Sequence, residues 1–149
     1  MRTLPGFILA LTATLALSAQ PPVDSPEIGV VRKQAEAFNR HAPDDVVACY
    51  ADAVKWYNID GDSVATESSG KESIRTWLTG YFKSFSTVKS ELLELSQTGP
   101  HVVFRERASW TGKDGKPRSQ TAIGVFEVRD GLVQRAWYFP ATRDSKPAS

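Results

Sequence analysis

The stretch Ser69-Gly70-Lys71-Glu72-Ser73-Ile74-Arg75-Thr76-Trp77-Leu78-Thr79-Gly80-Tyr81-Phe82-Lys83-Ser84-Phe85 decides how the rest of the chain is read. Ile74, Trp77, Leu78, Tyr81, Phe82 and Phe85 recur at spacings of three and four, which predicts a helix with one apolar side buried. Ser69 and Glu72 match a capping box at its start. The helix is followed by three long strand candidates, residues 87–97, 101–111 and 118–129, and a last one over 132–139. Asp114-Gly115 and Asp130-Gly131 are turn signals between them.

Upstream, Ser25 and Pro26 open a first helix, with Ile28, Val31, Ala35 and Phe38 on one stripe. A short second helix is expected over 44–50, with Asp44 as a cap or dipole partner at its start. A strand over 54–58 follows, stopped by Asp60-Gly61-Asp62, and a brief strand over 64–67. Helices followed by a meander of strands predict an α+β fold. Its sheet is expected to be antiparallel and strongly curved around the 74–85 helix. Residues 27–140 form the domain, residues 20–26 a proline-rich linker and residues 141–149 a flexible tail.

Met1 to Ala19 read as an export signal: Arg2, a short apolar run from Phe7 to Leu17, then small residues. The run is shorter than the roughly 20 apolar residues of a spanning helix. A secreted or periplasmic protein with no membrane attachment after cleavage is expected. Its 18 basic and 17 acidic side chains give a net charge of +1, so no overall field attracts nucleic acid. The single cysteine, Cys49, excludes an internal disulfide and a thiolate zinc site. The two histidines are far apart and no phosphate loop is present, so neither a metal site nor a cofactor is expected.

Four segments, taken in order, resemble the nuclear transport factor 2 superfamily, which includes SnoaL-like proteins, ketosteroid isomerase and limonene epoxide hydrolase. They are Ala37-Phe38-Asn39, Asp44 to Asp52, Gly70 to Ile74, and Ile123-Gly124-Val125-Phe126-Glu127-Val128-Arg129-Asp130-Gly131-Leu132-Val133. The resemblance implies a cone-shaped fold with a cavity, and many chemistries share that cone. Ketosteroid isomerase's catalytic groups would fall at Asn58, Gln34 and Gly124, none of which titrates. Those of limonene epoxide hydrolase would fall at Trp56, Asn58, Arg107, Ser109 and Tyr138, without the two carboxylates its mechanism uses. Neither mechanism is expected.

On the strand 101–111, His101, Arg105, Arg107 and Ser109 share one face, while Val102, Phe104, Ala108 and Trp110 share the other with Glu106 interrupting. Either the apolar face is core and the arginines are solvated, or Arg107 and Ser109 line the cone, as the epoxide-hydrolase resemblance implies. In the second case Trp56, Asn58, Arg107, Ser109 and Tyr138 would bind a small organic molecule with a carbonyl or carboxylate. Should the protein be catalytic, His101, Asp60 or Asp62 would have to move the proton, although a turn role explains the two aspartates. Three functions follow: a ligand-binding homodimer, an enzyme of isomerase, cyclase or hydratase type, or an interaction module whose cone is plugged by its own aromatics.

Overall fold

A computed structural model of the protein describes residues 24–144; the expected export signal and most of the linker lie outside them. Three helices, α1 (Pro26–Asn39), α2 (Pro43–Val47) and α3 (Lys71–Ser84), accompany seven strands. The strands are β1 (Tyr50–Asp60), β2 (Ser63–Ser69), β3 (Lys89–Thr98), β4 (His101–Thr111), β5 (Pro117–Arg129), β6 (Leu132–Tyr138) and β7 (Thr142–Arg143). The sheet runs β2-β1-β6-β5-β4-β3, with β7 paired to β5. It curves around α3 as the expected cone.

The sheet is mixed rather than wholly antiparallel, because β1 and β6 run parallel. With α3 and four strands between them in sequence, the two strands need no tight turn, and a crossover connection supplies the parallel pairing. Register shifts at Trp56/Tyr57, Leu92/Glu94 and Glu127/Val128 bend the strands.

Ser25 caps α1 as expected, its Oγ accepting from the Ile28 amide at 3.1 Å, and Pro26 takes the first turn. The hydroxyl of Ser25 also donates to Gln97 on β3, and Gln97 donates to Glu27 at 3.1 Å. At the other end of the helix, Asn39 holds both backbone groups of Ser90, at 2.8 and 2.7 Å. Helix α1 is therefore bonded to β3 at both ends.

The capping box does not form. Ser69 is committed to β2, opposite Lys55, and Gly70, at φ 83°, becomes the cap and donates its amide to Val54 at 2.7 Å. Only Ile74, Leu78 and Phe82 of α3 are buried, whereas Trp77 remains 41% exposed. Helix α2 ends at Val47, and Tyr50 starts β1. Asp44 is not its cap; it sits in the first turn and pairs with Arg75 at 2.8 Å. The fold also continues past residue 140: Thr142 and Arg143 pair with Thr121 and Gln120, and Asp144 accepts from Thr121 at 3.0 Å.

Within the core, Phe104 lies across Gly124 of the neighbouring strand. A Cβ built on Gly124 would stand 2.3 Å from the ring's Cζ. The ring meets Phe126 and Tyr138 edge-on at centroid separations of 4.8 and 5.9 Å. The Gly124→Ala substitution is expected to destabilise the protein by about 1–3 kcal/mol through overpacking, read from urea unfolding, and Phe104→Leu in the same chain should recover part of the loss. An unchanged midpoint would show that the ring has room to move.

Candidate functional site

The concave side of the sheet and the inner faces of α1 and α3 enclose an open cavity of about 290 Å³. The aromatics line it instead of plugging it. Trp56 stacks on Tyr138 at 4.8 Å and 7°, and Trp77 stacks on Tyr81 at 4.9 Å and 15°. The two stacks meet where Trp56 and Trp77 lie 6.0 Å apart. Phe38 of α1 and Phe139 complete the apolar wall. Ala108 on β4 and Ala122 on β5 provide the space: Ala122 is the cross-strand partner of Glu106, and neither alanine fills the volume before that side chain.

Glu106 is the one charged side chain on the inward face of β4. Ser90 donates to its Oε1, and the Tyr138 hydroxyl makes a long hydrogen bond of 3.4 Å to Oε2. Loss of water raises the pKa of Glu106 above the ordinary carboxylate range, and the two hydroxyls offset only part of that rise. Tyr138, Tyr81 and Tyr50 face the same carboxylate; burial and its charge push all three phenols up, so they stay neutral. The Tyr50 hydroxyl, buried beside Gln34, has no hydrogen-bond partner among the described residues. Glu67 stands on the exposed strand β2, accepting from Asn58 Nδ2 at 3.0 Å.

Of the residues singled out in the sequence, Trp56, Asn58 and Tyr138 line this cavity together. Arg107 and Ser109 do not. The even-numbered residues of β4 turn inward, so these two share the outer face, where Arg107 lies 3.4 Å from both Glu91 and Asp144. A guanidinium on that face keeps its water and two acidic neighbours. The three candidates for proton transfer are also elsewhere. Asp60 and Asp62 are exposed at the β1–β2 turn, and His101 is exposed on the outer face near Trp137. His41 stacks on Phe82 at 4.5 Å and its Nε2 lies 2.7 Å from the Val88 carbonyl, a structural role. No group of three metal-ligating side chains occurs among the described residues.

Glu106 was the residue the strand pattern did not promote. Its signal was there: a lone acid at an inward position among Val102, Phe104, Ala108 and Trp110.

A family model described as a SnoaL-like domain matches residues 31–136. No curated protein gives a significant match. Among solved structures, an NTF2-like protein of unknown function from Burkholderia pseudomallei is similar at 20% identity, covering 81% of this chain and 92% of that one, with a TM-score of 0.66. A hypothetical protein with a ketosteroid isomerase-like fold from Catenulispora acidiphila, in complex with trimethylamine, shares 15% identity over 74% of this chain and 84% of that one, with a TM-score of 0.64. A polyketide cyclase, so described provisionally, from Xanthomonas campestris shares 19% identity over 77% and 90%, with a TM-score of 0.59. At these identities the likeness establishes the fold alone.

Because the folded-state pKa of Glu106 lies above its unfolded value, the group favours folding less as pH rises from the unfolded value towards the folded one. Glu106→Gln is therefore expected to melt higher than the wild type at about pH 8, with the two curves converging below about pH 4. A difference in melting temperature that stays constant with pH would show that desolvation of the charge is not its cause.

Proposed function

The chain belongs to the SnoaL-like family of the nuclear transport factor 2-like superfamily, and from that premise we propose that it is an exported protein that binds a small, partly apolar molecule in its cone. The observation that carries this reading is the open cavity with stacked aromatic walls and a desolvated carboxylate. A flat or compact ligand gains apolar contact from Trp56, Trp77 and Tyr138, and the few polar groups orient it. The trimethylamine held by the Catenulispora relative supports the view that a cone of this kind takes a small guest. The apolar run after Arg2 supports export to the periplasm or outside the cell. Val103 and Ile123, exposed on the convex face, support association of two copies there.

A second reading has its own support. Glu106 beside Tyr138 could take a proton from a bound carbonyl compound and return it elsewhere, as an isomerase or cyclase requires. Solvent deuterium entering a candidate ketone only in the presence of wild-type protein, and not with Glu106→Gln, would favour it.

Native mass spectrometry of protein taken from its own compartment tests the main reading. The wild type is expected to carry a small-molecule adduct, which Ala108→Trp, filling the cavity, should lose while keeping its melting transition. Arg107→Ala should retain the adduct, since that side chain lies outside. Loss of the adduct in Arg107→Ala, or its retention in Ala108→Trp, would move the ligand out of the cone.

A further inference from the structure

Among the described residues lining the cavity there are two carboxylates, Glu67 and Glu106, and no lysine, arginine or histidine. The arginines of β4 all point the other way: Arg105 pairs with Glu94 at 2.8 Å and Arg107 with Glu91 at 3.4 Å on the outer face. The cavity thus leaves Glu106 without a cationic neighbour, whereas the other buried acid, Glu127, is paired with both Arg129 and Arg135. Ser90 and Tyr138 supply Glu106 with hydrogen bonds but no countercharge. Around that acid stand Trp56, Trp77 and Tyr81, whose ring faces carry negative potential.

We propose that the ligand is a small organic cation, a tertiary or quaternary ammonium compound, held in the cavity against the Trp56 and Trp77 rings with its charge directed to Glu106. This rests on the reading that the cavity holds a small molecule and names the chemical class of that molecule. Two effects select it. Alkyl groups on nitrogen spread the positive charge over an apolar surface, which suits aromatic walls through cation–π attraction. The cation also supplies the countercharge that Glu106 lacks, so the carboxylate is stabilised in its ionised form when the ligand is bound. An anion would meet two acids and no base, and a neutral guest would leave the charge on Glu106 uncompensated. The volume of about 290 Å³ lies at the small end of ligand sites, roughly 300–1,000 Å³, and matches a compact ammonium compound.

Three probes of nearly one shape separate the charges: choline, its uncharged carbon isostere 3,3-dimethylbutan-1-ol, and the anion 3,3-dimethylbutanoate. Binding to the full chain is followed by tryptophan fluorescence and by calorimetry. Choline is expected to bind about tenfold or more tightly than the alcohol, and the butanoate weakest. In Glu106→Gln the preference for choline over the alcohol should shrink to within about threefold, while the alcohol binds as before. Trp77→Leu, at a half-exposed position that tolerates replacement, should weaken choline more than the alcohol, and it gives the answer even if Glu106→Gln fails to fold. Equal or tighter binding of the alcohol, a preference that survives in both variants, or no choline binding at millimolar concentration would each overturn the assignment. The ligand-binding reading itself fails separately, by absence of any adduct in the wild-type mass spectrum.

Discussion

A phenyl ring laid across a position that has no side chain ties β4 to β5 inside this cone. Phe104 occupies the space that a Cβ on Gly124 would need, with a would-be separation of 2.3 Å. The ring supports Phe126 and Tyr138 from the side, and Tyr138 in turn stacks on Trp56 and reaches Glu106. One contact between β4 and β5 is therefore linked through two aromatic neighbours to the site. It also explains why an acidic side chain at position 124, as in the isomerase pattern, has no place here: the phenyl ring already fills it.

The larger part of the fold was legible because local signals agreed with tertiary demands. Ser25 and Pro26 do open α1, the α3 periodicity is real, and β4 has the bounds its sequence indicates. The failures have specific causes. The parallel pairing of β1 with β6 joins strands distant in sequence, and no local pattern encodes it. Ser69 satisfies a capping rule, but its backbone belongs to β2 opposite Lys55, so tertiary pairing overrode the helical signal. Thr142 and Arg143 sit in a polar tail that looks unstructured until β5 is there to receive it.

The site was half legible for a related reason. Strand alternation sorts β4 into two faces but does not say which is concave. The apolar majority of Val102, Phe104, Ala108 and Trp110 decided it, and Arg107 and Ser109 went outward with the other charges. The resemblance to epoxide hydrolases points to those two positions, each one residue C-terminal to a member of the pair that faces the cavity, Glu106 and Ala108. A shift of one along a strand reverses the face, and a carboxylate and a methyl group replaced a guanidinium and a hydroxyl in the lining. The chemistry of the cavity changed sign with it.

The attachment of α1 to β3 at both ends has a consequence for the chain's behaviour among its neighbours. Strand β3 lies at one margin of the sheet, where unpaired amides and carbonyls invite foreign strands to add on. Asn39 uses the amide and carbonyl of Ser90 as a neighbouring strand would, while Ser25 and Glu27 engage Gln97 near the other end. The helix thereby shields that margin against stacking into fibrils.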